Sequence, residues 1–287
     1  MKTLLLAFIA LFIASGSDAA GINSFKALNH EVQQGDVIIF QIPAQWMPPA
    51  TSNPSIFIFG KNYRPNAQGK VLVGVNMEIE PSKYIATFNE NGIRSGWDYE
   101  EIEVLKSSFE TTRTSWYTQK PSQRTDSQFR KILDAFGPKN QSEQDLTNGL
   151  GYIDPLGIPR DPIDHFGLIY KNNPYRRHEG VDLRTPIGSE VRAINGGKVV
   201  LVARNFRAEG NMVIINHGLG VFSVYMHLSK FRVKEGDTVK QKQVIALSGR
   251  TGAGVREPHL HFNVRIQDSY IDPLRFIDTI NQYLYVK

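Results

Sequence analysis

The chain contains no cysteine. This excludes structural disulfides, thiolate-based zinc sites, thiol nucleophiles and a lipidated N-terminal cysteine. Any bound metal must therefore be held by nitrogen and oxygen. Charge is also sparse. Charged residues make up 21% of the 287 positions, with 33 basic against 28 acidic side chains and a net charge of +5. That is too little for a disordered polyelectrolyte and too weakly basic to indicate a nucleic-acid partner. Long apolar runs are missing as well, apart from one at the N-terminus. What is present is a hydrophobic content of 41%, enough for one large or two ordinary domains, and seven histidines.

The N-terminal run reads as an export signal. Met1-Lys2 gives a positive start, Leu4 to Ala14 is unbroken apolar sequence, and Ser17 and Ala19 supply the small residues needed for a cut after Ala19. A membrane span needs about 20 apolar residues, and Gly16-Ser17-Asp18 interrupts sooner. Removing residues 1–19 takes away Lys2 and Asp18, so the mature charge is unchanged. The expectation is an exported protein with no stable membrane insertion after signal cleavage. The periplasm is favoured over secretion or wall association, because no sorting motif or lysine-rich repeat follows.

The remainder predicts a mainly β fold. Over residues 20–112, short apolar runs such as Val37-Ile38-Ile39-Phe40, Ile56-Phe57-Ile58-Phe59, Val71 to Val75 and Tyr84 to Phe88 alternate with turn residues. That spacing predicts an immunoglobulin-like β-sandwich serving as a spacer or docking module. Residues 113–165 read as a linker with short helices. In the first, Asp126 is the expected cap, Phe129, Ile132, Leu133 and Phe136 form the apolar stripe, and Gly137 ends it. Ser142 and Asp145 resemble a second helix start. From 166 to 287 the β pattern resumes, with strands at Val191 to Val202, Asn211 to Asn216, Val221 to His227 and Val244 to Leu247. His217-Gly218-Leu219-Gly220 turns a hairpin, and a short helix follows Pro273.

The histidines cluster in that last region. Five of the seven (His178, His217, His227, His259 and His261) fall between 178 and 261, whereas His30 and His165 lie outside without evident partners. In His178-Glu179-Gly180-Val181-Asp182, a spacing of four lets His178 and Asp182 face one side of an extended chain, and Gly180 lets the backbone bend. In His259-Leu260-His261, both imidazoles fall on one strand face. Tyr225-Met226-His227 places a further imidazole at the end of a hairpin strand. Two imidazoles and a carboxylate make an open zinc site, which would lower the pKa of a coordinated water to about 7. His178, Asp182 and one of His259 and His261 are candidate ligands, and the spare histidines can serve as base and oxyanion donor. Residue chemistry alone gives an exported zinc hydrolase of undefined substrate.

The segments His178 to Leu183, Thr185-Pro186-Ile187-Gly188, Asn216-His217-Gly218, Tyr225-Met226-His227-Leu228, Val233 to Val239, Ser248 to Gly252 and Pro258 to Phe262 add a resemblance. Their order is similar to that of the lysostaphin/LytM-type zinc metallopeptidases, which cut peptides of bacterial peptidoglycan. The similarity runs from Phe166-Gly167 to about Asp272-Pro273. It implies an antiparallel β-sheet metallopeptidase domain, with His178, Asp182 and His261 as Zn2+ ligands. It also implies catalytic roles for His227 and His259, in an order it does not assign, and a non-ligand turn role for His217. The N-terminal region resembles the immunoglobulin-like domain found before the catalytic domain in some exported members.

Two positions depart from that pattern. Relatives carry an arginine two residues after Phe-Gly, where this chain has Ile169, with Arg176 or Arg177 as substitutes. They carry Thr-Gly where this chain has Arg256-Glu257. Both departures bear on substrate preference more than on catalysis.

The expectation is a peptidoglycan endopeptidase acting on cross-links or stem peptides. Competing readings are a carboxypeptidase trimming stem peptides and a non-catalytic regulator of other wall hydrolases. A regulatory protein partner could dock on the N-terminal domain. Val233 to Ile245 also resembles the turn of biotinyl or lipoyl carriers, but no suitably flanked lysine accompanies it.

Overall fold

The computed structural model describes residues 25–47, 53–111, 125–142, 144–170 and 173–285. The expected signal, residues 1–19, and most of the polar segment Glu110 to Gln123 lie outside the described residues.

Among the described residues, eight strands make up the N-terminal unit: β1 (Lys26–Ala27), β2 (Glu31–Gln33), β3 (Val37–Gln41), β4 (Ser55–Ile58), β5 (Lys61–Tyr63), β6 (Lys70–Gly74), β7 (Ser82–Glu90) and β8 (Ile93–Leu105). They form two sheets, β1-β3-β6 and β2-β8-β7-β4-β5, in which only the β2–β8 pairing is parallel. Phe40, Val71 and Val73 of the first sheet share one core with Ile56, Ala86 and Ile102 of the second. β3 explains why its sequence shows no alternation. Ile38 and Phe40 enter this core, whereas Val37 and Ile39 enter the core of the C-terminal unit. A strand covered on both faces reads as a continuous apolar run.

Helix α1 (Asp126–Ala135) follows. Its cap is Thr125, one residue before the expected Asp126. Thr125 Oγ1 accepts from the Gln128 amide, and the Gln128 side chain accepts from the Thr125 amide. The stripe is only half used, because Ile132 and Phe136 are buried while Phe129 and Leu133 stay exposed. The second expected helix does not form. Asp145 Oδ1 instead accepts from the Thr147 amide and hydroxyl, closing a side-chain turn, and the Leu146 amide donates to the His217 carbonyl.

The C-terminal unit comprises β9 (Pro162–Asp164), β10 (Ile169–Tyr170), β11 (Asn173–Arg177), β12 (Val181–Arg184), β13 (Glu190–Arg192), β14 (Gly197–Phe206), β15 (Gly210–Gly218), β16 (Val221–Met226), β17 (Lys230–Phe231), β18 (Thr238–Val239), β19 (Val244–Leu247), β20 (His259–Ile266), β21 (Ser269–Ile271) and helix α2 (Pro273–Leu284). Its main sheet runs β18-β14-β15-β16-β20-β12-β9, with β21 on β20, all antiparallel. The expected hairpin is present. Leu219 and Gly220 take φ of 54° and 72°, the left-handed pair that matches strand twist. The single strand expected over Val191 to Val202 is broken into β13 and β14 by a bend at Ala193–Gly196.

The sheet is buried on both faces. Val213, Ile215, Tyr225, Leu260 and Phe262 enter one core with α2, while Met212, Ile214, Phe222 and Val224 meet α1 on the other side. The expected helix after Pro273 spans twelve residues, capped by Asp272, whose carboxylate accepts from the Leu274 and Arg275 amides.

Candidate metal centre

The candidate site lies on the sheet face that α1 covers further along. On β20, Leu260 and Phe262 point into the core below, which leaves His259 and His261 on the opposite face. β12 pairs antiparallel with β20, so Asp182 stands directly across from His261 and Arg184 from His259. Directly paired residues share a face. His178 comes just before β12. Its amide donates to the Leu168 carbonyl at 3.0 Å, and its carbonyl accepts from the Gly167 amide at 2.8 Å.

Gly180 is needed here for space rather than for bending. Its φ is not positive, but an added Cβ would lie 2.5 Å from the Phe262 carbonyl and closer still to Asn263 Oδ1. The loop from His178 to Asp182 can press against β20 only without a side chain at 180.

His227 reaches the site by a route that periodicity does not give. β16 ends at Met226, which pairs with His261 and shares its face. Continuing the strand would send His227 to the opposite face. Its φ of 63° turns it back instead. That conformation is held by its amide donating to the Glu209 carbonyl at 3.0 Å and by Nδ1 donating to the Thr251 carbonyl at 2.9 Å.

Three donor atoms converge. His178 Nε2 lies 3.2 Å and His261 Nδ1 2.6 Å from Asp182 Oδ1, and the two ring nitrogens are 3.0 Å apart. His259 Nε2 is 3.7 Å from the same carboxylate oxygen. The His227 ring centre stands 4.9 Å from that of His259 and 5.8 Å from that of His261. All five expected residues are thus brought together. His217 is not: it lies within β15 rather than in a turn, fully buried between the Gly196 carbonyl and Ser223 Oγ. His30 pairs with Glu100 at 2.7 Å on the N-terminal unit.

Backbone carbonyls fix the ring orientations. His178 Nδ1 donates to His165 O at 2.9 Å and His259 Nδ1 to Glu257 O at 2.8 Å. A carbonyl can only accept, so both nitrogens carry the proton and Nε2 keeps the lone pair in the neutral ring. No sequence motif marks His165 for this role, because it acts through its main chain. Asp164 is a further carboxylate missed from sequence. It stands opposite Asp182 across the β9–β12 pair, and burial with the Asp182 charge pushes its pKa up. Of the two candidate substitute arginines, Arg176 and Arg177, Arg177 stacks over Phe109 and approaches Glu78 at 3.6 Å.

Burial would raise the Asp182 carboxyl, yet the His178 and His261 imidazoles hold it well below the usual range. Burial would lower His178, but Asp182 and the His165 carbonyl raise it. Burial pushes His227 down to about 3, reinforced by His261 and His259. Among the described residues, His178, Asp182 and His261 form a group able to hold one ion. The set fits zinc: two imidazole nitrogens and an ionised carboxylate oxygen, with His178 held by a carbonyl at its other nitrogen.

Residues 176–273 match Peptidase family M23, and the chain carries an M23 peptidase domain. The resemblance to lysostaphin/LytM-type peptidases is therefore borne out, as is the mainly β, antiparallel fold. A 98-residue stretch is 41% identical to the peptidoglycan DD-endopeptidase ShyB of Vibrio cholerae, covering 34% of this chain and 22% of that protein. A 153-residue stretch is 43% identical to an uncharacterized metalloprotease of Haemophilus influenzae, covering 48% of this chain and 32% of the other. A crystal structure of a candidate M23 peptidase from Pseudomonas aeruginosa shares the fold, with a TM-score of 0.53 at 23% identity, over 85% of this chain and 94% of that one. This chain spans 22% to 39% of the length of the curated relatives it matches.

Proposed function

We propose that the protein is a zinc-dependent endopeptidase that hydrolyses peptide bonds in peptidoglycan cross-links or stem peptides. The observation that carries this reading is the convergence of His178, Asp182 and His261 beside two more imidazoles whose Nδ1 atoms are committed to carbonyls. His178, Asp182 and His261 would hold Zn2+. When bound, the ion supplies Lewis acidity toward a peptide carbonyl and acidifies water.

His227 and His259 divide the proton work. Each keeps an Nε2 lone pair that can take a proton from the attacking water and return it to the leaving amine. Protonated Nε2 can also donate to a developing oxyanion. Burial keeps His227 neutral, which leaves its Nε2 lone pair unprotonated at neutral pH.

The substrate class rests on the M23 domain and on the peptidoglycan DD-endopeptidase relative. Residues 1–19 act as a cleaved export signal and the mature protein works in the periplasm. Among the described residues, no helix is long and apolar enough to cross a membrane. Residues 20–112 form an immunoglobulin-like module available to a regulatory partner, residues 113–165 a linker, and residues 166–287 the peptidase domain.

The test is digestion of purified sacculi by the mature zinc-loaded form, with mass spectrometry of the muropeptides. Loss of cross-linked species is the expected result. Trimmed stems with intact cross-links would replace the endopeptidase reading by a carboxypeptidase one, and no release would favour a non-catalytic regulator. A His178→Ala variant that kept its zinc would overturn the ligand assignment.

A further inference from the structure

The last residues before residue 112, Ser107 to Thr111, lie against the loop that fixes His178. The Phe109 ring packs directly on Gly167, where an added Cβ would sit 3.0 Å from Phe109 Cγ and nearer to two other ring carbons. Gly167 has φ of 77°, so its left-handed turn and the ring share one position. Phe109 also meets Phe166 edge to face at 6.4 Å, and the Arg177 guanidinium lies 5.1 Å from its ring centre. Beside it, the Ile169 amide donates to the Glu110 carbonyl at 2.8 Å, and Thr111 bridges Ile169 in parallel. Ser107 Oγ in turn donates to the Gln34 carbonyl, anchoring the strap on the N-terminal unit.

The clamped loop, His165 to Ile169, makes three bonds to one residue. Its Gly167 amide donates to the His178 carbonyl, its Leu168 carbonyl accepts from the His178 amide, and its His165 carbonyl accepts from His178 Nδ1. A second contact comes from the Gly35 turn, where an added Cβ would meet Phe166 and Arg275. Arg275 donates to the Gln34 carbonyl and pairs with Asp36 at 2.8 Å.

We infer that Phe109 is a positioning residue for the metal centre, acting through the 165–169 loop to hold the His178 imidazole, so that the N-terminal unit is part of the framework of the site. This rests on the reading of His178 as a zinc ligand. Groups that orient a ligand typically contribute about 10–100-fold to metal affinity.

The experiment measures zinc affinity of the full chain by chelator competition, together with hydrogen exchange at the His178 and Ile169 amides. Phe109→Ala should weaken zinc about 10-fold or more and speed exchange at both amides. Phe109→Leu, which keeps more of the contact, should fall between and guards against a misfolded alanine variant. Leu72→Ala loosens the packing between the two units away from this loop and should leave affinity within about twofold of wild type.

Equal loss in Phe109→Ala and Leu72→Ala would overturn the proposal, since docking in general would then be responsible. Wild-type affinity in both Phe109 variants would overturn it too. His178→Ala separates the two failures, because a variant that still bound zinc would refute the ligand reading itself.

Discussion

Gly180→Ala is the smallest change that tests the construction of the site. The new methyl would stand 2.5 Å from the Phe262 carbonyl, a main-chain atom in the middle of a fully paired strand. Asn263, the other obstacle, is 1% exposed and has little room to turn. Restoring ordinary contact moves the start of β12 away from β20 by about 1 Å, given carbon–oxygen contacts of roughly 3.5 Å. Gly180 lies two residues from both His178 and Asp182, so the shift falls on the 2.6 Å approach of Asp182 to His261.

Overpacking of this kind costs about 1–3 kcal/mol of stability. A displacement of about 1 Å at reacting groups can cost about 100-fold in rate. Chelator competition, urea unfolding of the zinc-free protein and hydrolysis rates measure the three effects. Adding Asn263→Ala relieves one of the two clashes and should recover part of the loss. Zinc affinity within twofold of wild type, with unchanged stability, would refute the claim that Gly180 is present for close approach.

Further outcomes concern charge and protons. Burial pushes His217 down to about 4, so the unfolded chain takes up its proton first as pH falls. Stability is then lost between about pH 6.5 and 4, by about 3 kcal/mol if the full shift applies. Urea midpoints of His217→Gln should change less over that range than those of wild type, and parallel curves would refute the assignment. Asp182→Asn keeps the shape and removes the charge between His178 and His261. Zinc affinity should fall by more than the roughly 100-fold seen for outer-sphere partners, as read by chelator competition. His227→Ala and His259→Ala should each retain zinc while lowering kcat about 100- to 10,000-fold. Loss of zinc in either would make that residue a ligand instead.

Much of the candidate site was legible because its spacing is local. A two-residue interval puts His259 and His261 on one strand face in any register, and the strand indeed carries them so. The seven ordered segments predicted the M23 resemblance without reference to the fold. The helix at Phe129 to Phe136 was legible from its period, but the extent of its burial was not. Of the stripe, Ile132 and Phe136 are the residues buried, since the sheet presents Phe222 and Ile214 to one edge of it. Ser142 and Asp145 misled because the same side chains that begin helices also close turns. Here Asp145 bonds Thr147, while the neighbouring Leu146 amide is taken by His217.

By itself the sequence determined the chemistry: no cysteine, hence no thiolate and a metal held by nitrogen and oxygen, and five histidines gathered in one β-rich stretch. Residue type and short-range period carry that information, and both are written locally. Only the tertiary structure decided which atoms meet. Asp182 and His261 are 79 residues apart in sequence and become neighbours because β12 pairs with β20 in one register. His227 joins them because one left-handed residue reverses the side a strand would have given it. The groups that hold the rings, the carbonyls of His165, Thr251 and Glu257, are common to every residue type. They gain meaning only from where the chain folds, so no side-chain pattern announces them.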